Sequence, residues 1–199
     1  MISPSDQFER SIYYDALRVA AVDMGSYADV APRSTATDRG KLEFEAESGR
    51  IIGGGWDLVE DPTARTGRYA RSLLKKERSA RLVFPVNFPR PGRYRVWLRC
   101  RSSSDHDNDC YIMLDGEPAY RPTPNGMWAK VDGLKTNHRE WAWESQPKTA
   151  VHLDPSLRRG GVWIEVTSAG PHELQLASRS ENFAVDSVVL IHEDLPQTP

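Results

Sequence analysis

Arg93-Tyr94-Arg95-Val96-Trp97-Leu98-Arg99-Cys100-Arg101 is the stretch that decides the fold. Tyr94, Val96, Leu98 and Cys100 fall on one side of a period-two pattern, with four arginines and Trp97 on the other. A helix of 3.6 residues per turn would scatter these two sets, whereas a strand sends them to opposite faces. The same alternation recurs on both sides. Leu42, Phe44 and Ala46 interleave with Glu43, Glu45 and Glu47, and Leu82, Phe84, Val86 and Phe88 share a face within Arg81 to Phe88. Cys110 to Leu114, Ala150 to Leu153, Val162 to Thr167, Glu173 to Ala177 and Val185 to Ile191 are further short runs of strand-type residues. Turn signals separate them: Gly53-Gly54-Gly55, Pro89-Arg90-Pro91-Gly92, Asp115-Gly116, Pro124-Asn125-Gly126, Gly160-Gly161 and Gly170-Pro171. Short alternating strands with Gly and Pro punctuation and no helical pattern between them predict an all-β fold, an antiparallel β-sandwich.

Residues 1–40 read differently. Ser5-Asp6 precedes Phe8, Ile12, Ala16 and Val19/Ala20 at helical spacing, which predicts a short N-terminal helix. Gly25 to Gly40 then has the composition of a linker. The expected organisation is an N-terminal extension over 1–40, a sandwich over 41–195 and a tail over 196–199. The extension reads either as an arm packed on the domain or as the end of a preceding module.

The 199 residues suffice for one large domain with its own core. Residues 1–40 carry four basic and six acidic side chains, leaving 22 of each sign in residues 41–199. A neutral body argues against nucleic acid as partner, because counterion release requires a basic face. No apolar run reaches the length of a membrane span, and Ala16 to Val22, interrupted by Arg18, does not read as a secretion signal. Cys100 and Cys110 are too few for a disulfide framework or a zinc site; two buried thiols are expected, with a bridge as the alternative.

Motifs for nucleophilic, zinc-protease and nucleotide chemistry are absent, and no pair of the five histidines has metal-ligand spacing. Paired carboxylates for glycoside hydrolysis meet in space rather than in sequence, so a small polysaccharide-active enzyme stays an alternative, but no catalytic residue is assigned. Three constellations remain. Glu43, Glu45 and Glu47 form either a solvated strand face or part of a site for a hard cation. Asp105-His106-Asp107-Asn108-Asp109 is an oxygen-rich loop that lacks the glycine and terminal glutamate of an EF-hand. The segment Glu117 to Ser145 concentrates Tyr120, Trp128, Trp141 and Trp143 with Asn125, Asn137, His138 and Arg139. Aromatic faces beside amides and guanidinium groups suit a sugar ring, so one of Trp56, Trp128, Trp141 or Trp143 is a candidate platform. The outward stripe Arg93, Arg95, Arg99 and Arg101 reads either as partners for neighbouring carboxylates or as a groove for uronate or sulfate groups.

The order of motifs resembles a known family. "LEFEAE" from Leu42, "FPRPGRYRVWLRCR" from Phe88, "NDCYIMLDG" from Asn108, "EWAW" from Glu140 and "AGPHELQLASRSENFAVDSVVLIHE" from Ala169 are together similar to galactose-binding-like jelly rolls among carbohydrate-binding modules, particularly families 6 and 35. Malectin-like domains share that fold. The resemblance implies a non-catalytic polysaccharide-binding module, extracellular or periplasmic, covalently linked to a polysaccharide-degrading enzyme. It implies structural calcium held by Glu45, Glu47 and Asp186, which would tie the first strand to the last. It also implies a sugar site in the loops at one end, with Trp128 or Trp141 as platform and Asn108, Arg179 and Asn182 as polar contacts. Arg179-Ser180-Glu181-Asn182 departs from the "RE-x-G" pattern of related modules. A structural or interaction sandwich without a sugar site is the further alternative.

Overall fold

The computed structural model describes residues 40–102, 104, 108–118, 130–132, 140–147 and 161–199, with the side chains of 130–132 outside the description. The expected N-terminal helix, the linker, the strand over Ala150 to Leu153, and the residues Asp105, His106, Asp107, Tyr120, Asn125, Trp128, Asn137, His138 and Arg139 lie outside the described residues.

The described chain forms two antiparallel sheets. Its strands are β1 (Lys41–Glu45), β2 (Arg50–Ile52), β3 (Trp56–Glu60), β4 (Arg68–Ser72), β5 (Arg81–Phe88), β6 (Gly92–Arg101) and β7 (Asp109–Leu114). There follow β8 (Glu117–Pro118), β9 (Lys130–Asp132), β10 (Ala142–Glu144), β11 (Val162–Val166), β12 (Gly170–Ser178) and β13 (Ala184–His192). A 3-10 turn, Ala46–Ser48, is the one helical element among the described residues.

In one sheet β13 is central. It pairs with β6 on one side and with β1 and β4 on the other; β3 extends the sheet beyond β4, and β10 and β11 flank the far edge of β6. The second sheet runs β2-β5-β12-β7, with β8 and β9 along the outer side of β7. The first and last strands are therefore neighbours, Leu42 opposite Leu190 and Glu45 opposite Ser187. The core between the sheets takes the faces that alternation assigns to it: Phe44, Tyr94, Val96, Leu98, Ile164, Val188 and Leu190 from the first, Leu82, Phe84, Phe88, Ile112, Leu174 and Leu176 from the second. Phe44 meets Phe84 at 5.9 Å between centroids and Phe88 meets Tyr94 at 4.8 Å, tilted geometries that aromatic pairs prefer. Trp56 belongs to this core and its Nε1 donates to the Ala80 carbonyl at 3.2 Å. Cys100 and Cys110 are free thiols buried in the same core, and burial, with Cys100 close by, pushes the Cys110 thiol well up.

One hairpin shows how local chemistry fixes register. Asp115 and Gly116 both have positive φ, 52° and 81°, the primed turn that an Asp-Gly pair favours between β7 and β8. Asp115 also fastens β12: its Oδ1 accepts the Glu173 N–H at 2.8 Å and its Oδ2 meets His172 Nδ1 at 2.6 Å. That carboxylate raises the His172 pKa above 6.5. A raised folded-state pKa stabilises the fold fully below 6.5 and loses that contribution as pH climbs through the raised value. His172→Gln is expected to cost more at pH 5.5 than at pH 9, by about 1 kcal/mol or less because Asp115 is half-exposed, while the loss of the ring's contact with Phe88 is common to both pH values. Urea midpoints at the two pH values check this.

Candidate functional site

The outward residues of β6 organise the outer face of the first sheet. In register with it, β11 sets Trp163 opposite Arg95 and Glu165 opposite Arg93, and β10 sets Trp143 opposite Arg99. At its C-terminal end, Arg99 binds Asp186 and Arg101 binds Asp61 at 2.7 Å. Asp186 sits at an irregularity in the β13 register between Val185 and Ser187, is fully buried, and also accepts the Arg65 backbone N–H at 3.1 Å.

Arg65 belongs to the β3–β4 connection, which is shaped by its own residues. Asp61 Oδ1 accepts the Thr63 N–H at 2.8 Å and the Thr63 hydroxyl at 2.6 Å, an Asx turn, and Gly67 supplies the positive φ (83°) that leads into β4. Those two bonds from Thr63, with Arg101 adding to them, hold the Asp61 carboxyl below the usual range. The Thr63 hydroxyl in turn accepts the Trp141 indole N–H at 3.0 Å.

Trp141 is thereby fixed at one loop end of the sandwich. Its ring meets Tyr69 edge-on at 5.2 Å, and the Arg101 and Arg99 guanidinium carbons lie 4.4 Å and 5.5 Å from its centroid. It packs with Ala64, Tyr69, Ala184 and Val59 in a small cluster apart from the main core, and stays half-exposed. Here a flat ring stands beside a threonine hydroxyl, two guanidinium groups and a carboxylate. Asp61, Thr63 and Tyr69 were not singled out from the sequence. The Asp-x-Thr spacing before a glycine signals the turn, but nothing in the order of residues says that it meets Trp141.

The other expected polar contacts have different places. Asn108 is fully buried at the start of β7. Next to it buried Asp109 accepts from Arg179 at 3.0 Å, and its carbonyl accepts the Ser180 N–H at 3.2 Å. The structure thus joins the Asn108–Asp109 and Arg179–Ser180 segments, but as a strut beneath the loop surface. Asn182 is exposed in the left-handed region at φ 63°, with its N–H on the Ser72 carbonyl at 2.7 Å. No described contact links Trp141 to Asn108, Arg179 or Asn182. Trp143 is half-buried on the same outer face as Trp97 and Trp163.

The acidic stripe also differs from its strand pattern. β1 ends at Glu45, so Glu47 lies in the 3-10 turn rather than on the strand face shared by Glu43 and Glu45. Arg65 lies across this group, bound to Glu43 and 3.7 Å from Glu45. Ser187 Oγ donates to Glu45 at 2.7 Å, and Thr66 donates to Glu47. Glu45, Glu47 and Asp186 share a neighbourhood: burial raises the Glu45 pKa above 4.5, the Ser187 bond and Arg65 oppose this, and the charges of Glu47 and Asp186 add to the rise. They do not close into a single coordination sphere as expected, because Arg99 and the Arg65 N–H take Asp186 while Arg65 and Ser187 take Glu45. Among the described residues no three Asp, Glu, His or Cys side chains form a metal-holding group. The donor chemistry nonetheless fits a hard cation: Glu47 Oε2 is buried with no hydrogen-bond partner among the described residues, beside a second carboxylate that burial makes reluctant to ionise.

Comparison with known proteins places the fold. It is an antiparallel β-sandwich of the jelly-roll type. The chain is similar in structure to the family 35 carbohydrate-binding module of Clostridium thermocellum (TM-score 0.51, 16% identity, covering 75% of this chain and 97% of that one). It is similar also to the family 35 module from Cellvibrio japonicus (TM-score 0.53, 11% identity, 76% and 92%). In a Podospora anserina β-(1,4)-mannanase that carries such a module, the match has TM-score 0.54 and 14% identity over 81% of this chain and 29% of that one. In sequence, an uncharacterized protein of Formosa agariphila is 32% identical over 108 residues, 54% of this chain. The chain matches about a quarter (24%) of that relative's length. No protein-family profile matches.

Proposed function

We propose that this chain is a non-catalytic carbohydrate-binding module that holds a polysaccharide against Trp141 at the loop end of the sandwich. The observation that carries the reading is the fixed, half-exposed indole with Thr63, Tyr69, Arg99 and Arg101 around it. A sugar ring offers an apolar C–H face and a rim of hydroxyls, and this arrangement answers both. The jelly-roll fold shared with modules of family 35 supports the same reading. Asn182 and the part of Arg179 that reaches solvent are further candidates for polar contacts around that end, and Trp128 is a second candidate platform.

The proposal extends to the setting. The Podospora enzyme carries its module in one chain with a mannanase, so a covalently linked polysaccharide-degrading domain, working outside the cytoplasm, is the expected context here. Calcium is proposed as a structural ion, with Glu45, Glu47 and Asp186 as the residues that would hold it. It would neutralise neighbouring carboxylates and add stability because only the folded chain brings them into one neighbourhood.

Affinity gel electrophoresis against soluble mannan, xylan, galactan and dextran, with calcium and then with chelator, tests the reading. Retardation by at least one neutral polymer without release of reducing ends is expected, and calcium should raise the melting temperature by several degrees. Release of sugar products would instead select an enzyme, and indifference to every polymer would select an interaction sandwich. A melting temperature unmoved by calcium or chelator would remove the ion.

A further inference from the structure

The arginines of β6 divide into two halves. Arg99 and Arg101 have carboxylate partners, as a structural role requires. Arg93 and Arg95 have none among the described residues. Glu165 stands opposite Arg93 in register, and a Glu193 oxygen accepts the Arg93 backbone N–H at 3.1 Å, yet neither carboxylate forms an ion pair with the Arg93 guanidinium. What these two cations have instead is aromatic. Arg93 lies 4.9 Å over the Trp163 ring and Arg95 lies 4.3 Å over the Trp97 ring.

Arg95 is the more built of the two. Its Nε donates to Ser145 Oγ at 3.0 Å, which orients the guanidinium plane. A Cβ at Gly161 would come within 2.4 Å of its Nε, so the glycine, at φ 74°, is what leaves room for the side chain to lie there. Burial lowers the Arg95 pKa, and no nearby charge offsets it. Beside it the Trp97 indole N–H is screened from water with no acceptor among the described residues. Among the described residues, then, a half-buried cation has no counter-ion and a donor has no acceptor, and each is a cost to the fold. An oxyanion ligand supplies the counter-charge that Arg95 lacks among those residues.

We propose that Arg95, with Arg93, Trp97 and Trp163, forms an oxyanion subsite on the outer face of the first sheet, and that it takes sulfate-ester or carboxylate substituents of an anionic polysaccharide. The inference rests on the carbohydrate-binding reading above and specifies the class of glycan. A guanidinium held over an aromatic ring, with its Nε on Ser145, can present its terminal N–H groups as a fork to two oxygens. From Arg101 to Arg93 the strand spans about 26 Å, so the subsite and Trp141 lie along one strand on one face, as successive residues of an extended glycan require.

Isothermal titration of the full chain with dextran sulfate, polygalacturonate and uncharged dextran tests it. Arg95→Gln should weaken binding of an anionic polymer about tenfold or more, the worth of a charge-assisted pair, and Arg93→Gln by a smaller factor. Arg50→Gln removes the same charge from the opposite sheet and should leave affinity unchanged. Whichever of the sulfated and carboxylated polymers responds to Arg95 identifies the oxyanion. Equal losses in Arg95→Gln and Arg50→Gln, or no preference of the native chain for either anionic polymer over dextran, would overturn the subsite. Trp141→Ala separates the two readings. Neutral-polymer binding lost with Trp141 but indifferent to Arg95 leaves the module and sinks the subsite. Anionic binding that needs Arg95 and not Trp141 keeps the subsite and moves the main site. Melting curves of each variant show that the fold is retained; if Arg95→Gln melts early, Arg93→Gln decides the outcome.

Discussion

Asp186→Ala is expected to lower the unfolding free energy by about 3 kcal/mol, the lower end of the cost of breaking a buried ion pair. The carboxylate is fully buried at the irregularity in β13, and it ties two other segments of chain to that strand. Its Oδ1 accepts the Arg65 N–H at 3.1 Å, which holds the β3–β4 connection onto the sheet, and its Oδ2 binds Arg99 of β6. Removal leaves the Arg65 N–H without that acceptor and Arg99 without its counter-charge. About a fifth of the Arg99 side chain reaches solvent, so water recovers part of its solvation, which is why the lower end applies. Asp186→Asn keeps an acceptor for Arg65 but turns an amide towards or away from Arg99, and an intermediate loss is expected. Urea midpoints at constant m-value measure both. A midpoint for Asp186→Ala within about 0.5 kcal/mol of the native chain, the scale of an ordinary surface change, would show that the pair does not hold the loop.

That loop marks the boundary of what the sequence discloses. β1, β5, β6 and β11 were legible because alternation marks one buried face, whereas β7, β12 and β13, buried along much or all of both faces, were legible as short runs of strand-type residues. β2, β3 and β4 were not. Arg50-Ile51-Ile52 has no alternation and lies exposed at a sheet edge, and β3 is a largely half-buried edge strand whose pattern reads like a loop. At the candidate site, Trp141 was found from its aromatic character and Asp186 from the resemblance. Their partners Thr63, Tyr69, Asp61 and Arg65 come from a connection between two strands that leave no strong pattern. Glu47 shows the converse failure. Alternation alone keeps it on the strand face with Glu45, but the chain turns at Ala46, a residue small enough to be buried where the 3-10 turn crosses the edge of the core. Arg179 binds Asp109, the neighbour of Asn108. Their burial was not legible, because polar side chains inside a strut and polar side chains on a ligand surface look the same in one dimension. The arginine stripe was ambiguous for a related reason: only register decides which guanidinium meets a carboxylate.

Trp141→Ala is expected to weaken binding of a neutral polysaccharide by about 30- to 100-fold, the scale of truncating a tryptophan at the centre of a contact surface. The ring itself supplies the apolar face. Its position depends on the Thr63 hydroxyl, the edge of Tyr69 and the guanidinium of Arg101, so the surface exists before the ligand arrives and little ordering entropy is spent on binding. Trp141→Phe keeps a ring on Tyr69 while losing the bond to Thr63, and should retain most of the affinity. Thr63→Val tests the same bond from the other side, with a loss of a few-fold if the indole is free to swing. Because Trp141 packs in a satellite cluster apart from the main core, the alanine variant should still unfold in one cooperative transition, and circular dichroism melts run beside the titrations show whether it does. Native affinity in Trp141→Ala would move the sugar away from this loop end, to the outer face around Trp97 and Trp163.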